Sequence, residues 1–405
     1  MKTRLIKKTD EKLSPLGFGA MRLPSKNGKI DREKAKKQIY HGIDNGINII
    51  DTAAVYGAGD SEKFLGEILQ GEYKDKVKIS TKLPAYLIKN YDEMEKTLNE
   101  QLERLQRDSI DYYLLHNIDL KSLERLKKRD VFKFLQKAQS EGKIKHIGFS
   151  YHGKTNEFNE VVDSYPWDVV MVQYNYLDDN AQASAEGIKY AADKGMGIFV
   201  MEPLKGGILA GKMPEKAEKI FKSKNPQKTN AQWSLEWILN HEEITTVFSG
   251  MNSINQIDEN IAIADKITPN SLSEDDLATV EEVKKVMQEA LKINCATCGY
   301  CMPCPQGVNI PECIKIYNEK YLFNDTGIIS QGLIDYFTSI GGVMTEPANA
   351  GLCNSCGKCL RKCPQHLNIP QELEKVRKDI EGHGFGVKRW FIKNIGLPFY
   401  QRFMG

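Results

Sequence analysis

The chain has 405 residues, 41% of them hydrophobic, and its 56 basic and 54 acidic side chains leave a formal net charge of +2. That length accommodates one domain of about 250 residues and a smaller second one, and a charge so near zero provides no field to gather nucleic acid or an anionic membrane. No apolar run reaches the ~18 residues of a membrane span, and the N-terminus lacks a signal peptide's apolar core, so small molecules and proteins are the expected partners and the cytoplasm the expected compartment.

From residue 16 onward, short apolar runs alternate with longer amphipathic ones. Buried parallel strands are predicted at 16–23, 48–53, 77–84, 111–119, 144–150, 168–175, 196–204 and 245–250. Helical patterns lie between them: the one at 31–46 has Asp31 as N-cap and Gly46 after its end, and 91–106 carries apolar residues at helical spacing. Eight strand and helix units in about 250 residues predict an α/β fold of the (β/α)8 TIM barrel type over residues 1–270. A doubly wound sheet would need G-x-G-x-x-G after its first strand, and "GFGAMR" does not supply it.

In a barrel, chemistry gathers at the C-terminal ends of the strands. Asp51 follows "NII", Tyr56 lies on the next loop, Lys82 follows "KIST", and His116 follows "DYYLL". Taken singly, Asp51 reads equally as a helix cap, Lys82 as a solvated rim residue and His116 as a core histidine bonded to a carbonyl. Together they bring an acid, a phenol, an amine and an imidazole to one mouth. A phenol of pKa about 10 is a weak acid at neutral pH, and an adjacent ammonium favours its phenolate. A carboxylate behind the ammonium holds it in place, and an imidazole can orient a substrate oxygen. Such a set suits protonation of a carbonyl oxygen while hydride reaches the carbon.

At this point the sequence resembles the aldo-keto reductase family. "IIDTAAVYGAGDSEKFLG", "ISTKLP" and "YYLLHNID" look like that family's strand 2, 3 and 4 signatures, and "IGFSYHG", "VQYNYLD" and "VMEPLKGG" like its later cofactor-facing segments. The resemblance implies a catalytic tetrad of Asp51, Tyr56, Lys82 and His116, with Tyr56 as general acid or base. It also implies a nicotinamide cofactor, NADH or NADPH, contacted by Ser150 at the carboxamide and by Gln173, with Glu259 and Asn260 at the adenine. Two departures stand out. The segment "SGMNSINQIDEN" lacks the lysine and arginine that relatives use to hold the NADPH 2′-phosphate, and Met201 replaces the aromatic ring that many relatives stack on the nicotinamide.

Beyond the barrel, "LSEDDLATVEEVKKVMQEALKI" predicts a linker helix, with Ser273 as N-cap, within residues 271–294. All nine cysteines follow it. Cys295, Cys298, Cys301 and Cys304 run C-x2-C-x2-C-x2-C, and Cys353, Cys356, Cys359 and Cys363 run C-x2-C-x2-C-x3-C. Three closely spaced thiolates clasp a cubane, and in two-cluster ferredoxins the fourth comes from the other motif. Two [4Fe-4S] clusters are therefore expected, one on Cys295, Cys298, Cys301 and Cys363, the other on Cys353, Cys356, Cys359 and Cys304. Two zinc ions are the alternative, although zinc sites pair two C-x2-C halves and leave a third cysteine unused. Cys313 reads as core filler.

The region 295–380 is thus predicted to be a mainly α-helical ferredoxin-like domain, and the whole resembles the ferredoxin-type aldo-keto reductases. Residues 381–405 form a basic, aromatic tail, read either as packing on its own domain or as making peripheral contact with a membrane or partner. Nicotinamide passes electron pairs and an iron–sulfur cluster single electrons, and a flavin commonly converts between them. Three functions follow as expectations: a nicotinamide-dependent oxidoreductase acting on a small carbonyl or alcohol, a ferredoxin-linked reductase with a flavin such as FMN or another redox group in the barrel, and a non-catalytic redox sensor.

Overall fold

The computed structural model describes residues 1–323 and 331–396. The chain divides into two compact units, one of Met1–Ala210 with Gln227–Val280 and one of Gly211–Pro226 with Glu281 onward.

The first unit opens with two antiparallel hairpins, β1 (Arg4–Ile6) with β2 (Glu11–Leu13), and β4 (Ser25–Lys26) with β5 (Lys29–Ile30). Between and after them come β3 (Leu16–Gly19), β6 (Ile49–Asp51), β7 (Lys78–Leu83), β8 (Ile110–Ile118), β9 (Ile144–Tyr151), β10 (Val169–Gln173), β11 (Gly197–Met201) and β12 (Ile244–Ser249). These eight close into a parallel barrel in the order β10-β11-β12-β3-β6-β7-β8-β9. The expected (β/α)8 fold is the fold observed. Strands one and seven are shorter than expected. The first gives way to a 3-10 turn at Ala20–Arg22, and the seventh stops where Glu202 takes φ +52°, a left-handed conformation that no strand continues.

The barrel interior is filled by Ile49, Tyr112, Leu114, Val169, Met171, Phe199 and Phe248, and the first hairpin adds Ile6 and Leu13 to this group. Outside, helices cover the strands. The helix α1 (Arg32–Asp44) begins where the Asp31 carboxylate accepts the Lys34 N–H, and α2 (Ser61–Ile68) and α3 (Tyr91–Leu105) follow the next two strands. Gly66 of α2 lies where a Cβ would fall 2.1 Å from the Arg104 carbonyl oxygen, so only glycine permits this approach of α2 and α3.

The second unit has its own core of Ile293, Val308, Ile310, Ile314, Tyr336, Ile369, Leu373 and Val376, with the cysteine loops against it. Residues 310–322 and 369–376 are α-helical here; the helix 274–290 begins in the first unit, capped by the Ser273 hydroxyl, which accepts the Asp276 N–H at 3.1 Å, and runs on into the second. Each cysteine loop ends in the same way: "CPQGVNIP" leads into helix 310–322 and "CPQHLNIP" into helix 369–376, with Asn309 and Asn368 at the N-caps and proline in the first turn of each. In the tail, the Phe385 ring stacks on Phe337 at 4.9 Å and meets Tyr336 edge-on, while Val387, Trp390 and Phe391 are exposed. Residues 397–405 of the predicted tail lie outside the described residues. No helix among the described residues is long and apolar enough to cross a membrane.

Candidate active site and cysteine loops

Three adjacent barrel strands deliver the four polar residues. Asp51 closes β6, Lys82 lies near the end of β7 and His116 near the end of β8, while Tyr56 starts a turn after β6. The Lys82 ammonium donates to Asp51 Oδ1 at 2.6 Å, to Asp51 Oδ2 at 2.7 Å and to the Thr52 carbonyl at 2.8 Å, and lies 3.5 Å from the Tyr56 hydroxyl. Ser80 donates to Asp51 Oδ1 at 3.0 Å. Asp51, Lys82 and His116 are each less than 5% exposed. Of the separate readings available to them in the sequence, a solvated rim lysine is thus not the one observed.

Burial raises the Asp51 pKa and lowers that of Lys82; in each case the partner's charge opposes the shift. The contact thus offsets part of what burial costs each charge. Burial, then the Lys82 and His152 charges, hold the His116 imidazole well below its ordinary pKa, which makes it neutral. Its ring stands edge-on to Tyr56, centroids 6.4 Å apart, and Tyr86 approaches from the outer side at 6.0 Å.

The residues expected to face a cofactor occupy the next strand ends. Ser150, near the end of β9, accepts the Asn117 N–H at 2.8 Å. Gln173 ends β10 in register with Met201 at the end of β11. It donates to Asp178 at 2.7 Å and accepts from Gln182 at 3.2 Å. Glu259 accepts the Thr229 hydroxyl at 2.5 Å, and buried Asn260 donates to Ser249 at 3.1 Å.

Two groups near this mouth are not apparent from the sequence pattern. Lys205, wholly buried, donates to Asp178 at 2.5 Å, and Asp178 also accepts from Asn175. Arg22, from the turn after β3, lies against Gly250 and pairs with Glu202 at 3.6 Å. A cation thus stands beside the start of the segment that has none in its own sequence. Both cations are remote in sequence from their partners, so no local motif reports them.

In the second unit the nine cysteines form no disulfide. The two cysteine loops share a backbone. Cys295 Sγ accepts the Thr297 N–H at 3.3 Å and Cys353 Sγ the Ser355 N–H at 3.5 Å. Thr297 and Ser355 have φ of +50° and +58°, and Gly299 and Gly357 of +78° and +71°. Burial pushes the Cys301 thiol up to about 12, and the nearby thiols that add to this are Cys298, Cys295 and Cys363. Cys359 is also raised by burial, with Cys353, Cys304 and Cys356 as its thiol neighbours. One thiol of the other loop thus acts on each of these two cysteines, Cys363 on Cys301 and Cys304 on Cys359. Among the described residues, no three such side chains lie close enough together to hold a single metal ion. Cys313 is fully buried, its thiol pushed up to about 12 by burial, beside Tyr336.

Residues 294–368 match the model of the 4Fe-4S dicluster domain. The chain is 29% identical over 301 residues to L-galactose dehydrogenase of Arabidopsis thaliana, covering 69% of this chain and 93% of that protein. It is 26% identical over 325 residues to the NADH-specific methylglyoxal reductase of Escherichia coli (strain K12), covering 69% and 97%. Among solved structures, the holo form of an aldo-keto reductase of Bacillus halodurans superposes with a TM-score of 0.59 at 25% identity, over 70% of this chain and 96% of that one. Residues 15–285 match the model of the aldo/keto reductase family, more than half of the sequence, and the chain belongs to that family of oxidoreductases.

Proposed function

We propose that the barrel reduces a small carbonyl compound, or oxidises the matching alcohol, with a nicotinamide cofactor, and that the second unit carries two [4Fe-4S] clusters. The observation that carries the first half is Lys82, bonded to Asp51 and 3.5 Å from the Tyr56 hydroxyl at a mouth formed by three neighbouring strands. When bound, a reduced nicotinamide supplies hydride to the carbonyl carbon. Tyr56 gives its proton to the carbonyl oxygen, so that C=O becomes CH–OH, and the Lys82 ammonium stabilises the phenolate left behind. Asp51 holds Lys82 at that station. His116, neutral, donates an N–H to the same substrate oxygen and orients it. Ser150, Gln173 and Met201 lie along the strand ends next to this set, where a nicotinamide ring would be held, and Glu259 and Asn260 are the adenine contacts.

The cluster reading is supported by the donor set: eight thiols in two closely spaced runs of four, with Cys363 acting on the Cys301 thiol and Cys304 on that of Cys359. A zinc site pairs two C-x2-C halves and has no use for the third cysteine that each run places at the same short interval. We read residues 1–270 as the barrel, 271–294 as its linker helix, 295–380 as the cluster domain and 381–405 as a tail.

Because cluster and hydride chemistry differ in electron count, a second reading places FMN in the barrel and lets electrons enter through the clusters from a ferredoxin-like donor. The presence of two complete thiol quartets favours it. Anaerobic purification separates the two. About eight irons per chain without flavin, with NADH turnover abolished in Tyr56→Phe, supports the nicotinamide reductase. Bound flavin supports the second reading, and full turnover in Tyr56→Phe removes Tyr56 from its role.

A further inference from the structure

The two cysteine loops share a backbone but differ in charge. Residues 293–311 contain no charged side chain, whereas the second loop carries Lys358, Arg361 and Lys362, with no acidic residue anywhere from 347 to 371. Cys356 of this loop is the one exposed cysteine of the nine. The cavity between the loops, about 590 Å³, has those three cations in its lining and no carboxylate. All three cations are exposed, and none forms an ion pair among the described residues; Lys362 instead reaches the Met302 carbonyl at 3.5 Å. Leu352 and Leu360 are 37% and 40% exposed on the same loop.

We infer that the loop of Cys353–Cys363 is the electron port of the protein, and that its partner is a small acidic one-electron carrier protein docking on Lys358 and Arg361. This rests on the iron–sulfur reading above. A patch of cations around an apolar centre steers an acidic partner and releases it quickly, as transfer complexes require. Its position beside the most exposed cysteine places the carrier nearest the cluster of Cys353, Cys356, Cys359 and Cys304. One electron leaves the reduced carrier and enters that cluster, with no bond made or broken.

The rival reading of the same cations is that they balance the negative charge of the cluster itself. The two separate in a kinetic experiment on the full-length, anaerobically purified protein. Lys358→Glu and Arg361→Glu are made together, leaving Lys362 and its bond to Met302 in place. Cluster reduction is followed with a reduced acidic two-cluster ferredoxin over a range of salt concentrations, and with a small uncharged reductant, photoreduced deazaflavin. Reduction of the wild type by ferredoxin should slow steeply as salt rises. The double variant should be slower with ferredoxin by about tenfold or more at low salt, with the deazaflavin rate and the iron and sulfide contents unchanged. An unchanged ferredoxin rate overturns the port, as does a rate that falls equally with both reductants, the mark of an altered potential. A wild type without iron removes the cluster reading itself and the port with it.

Discussion

Lys82 and Asp51 meet through two hydrogen bonds of 2.6 and 2.7 Å at a point where neither side chain has appreciable access to water. Each charge is the other's main compensation for burial. Removing one partner should therefore be costlier than removing both. Asp51→Ala is expected to lower the unfolding free energy by about 3–5 kcal/mol, whereas Asp51→Leu with Lys82→Met should recover most of that loss without restoring turnover. Denaturant unfolding of the two variants beside the wild type measures the difference; equal losses would show that the pair is not energetically coupled.

Burial holds His116 well below its ordinary pKa of 6.5. The folded protein therefore binds this proton less readily than the unfolded chain does. The contribution of a neutral His116 to stability is complete above about pH 6.5 and is lost as pH falls from there through its lowered folded value. His116→Gln removes the titration, so its thermal midpoint should fall less than that of the wild type between about pH 7.5 and 5.5. Parallel curves would contradict a neutral, buried imidazole.

The cysteine neighbourhoods make a crossed prediction. Cys363→Ala should disturb the cluster of Cys295, Cys298 and Cys301, and Cys304→Ala that of Cys353, Cys356 and Cys359. Each variant is expected to lose about four of about eight irons, and electron paramagnetic resonance of the reduced proteins should show a different surviving signal in each. If both variants lose the same signal, ligation is not crossed.

For the nicotinamide, the expected preference is NADH. The segment after β12 offers a 2′-phosphate no cation of its own, and a charge-assisted bond to such a phosphate contributes about 1.5–3 kcal/mol. kcat/KM should be about tenfold or more higher with NADH than with NADPH, and equal values would point to Arg22 as the phosphate's partner.

The barrel was legible because its strands are buried on both faces and read as continuous apolar runs such as "DVVMVQ". Its hairpins were not: two- and three-residue strands such as Ser25–Lys26 are shorter than any window in which alternation can be recognised. Asp51, Lys82 and His116 could be placed from their positions at strand ends, since the parallel barrel brings those ends together. Arg22 and Lys205 could not, since a cation at a turn carries no sign of which distant carboxylate it will meet. In the second unit, cysteine spacing was plain. The common loop backbone, with Thr297 and Ser355 both in the left-handed region, involves residue types that do not announce positive φ in the way glycine does.

The proposed exchange of fourth sulfurs between the loops would have a consequence for biosynthesis. Neither quartet is encoded by one continuous stretch of chain. Cys295, Cys298 and Cys301 would emerge from the ribosome with no fourth ligand until Cys363 has been made, and Cys304 would lack its full set of partners until Cys359 has been made. On that ligation, neither centre could be filled before Cys359 or Cys363 has been made, well after the barrel has been synthesised. A chain that stops between the two loops would complete neither.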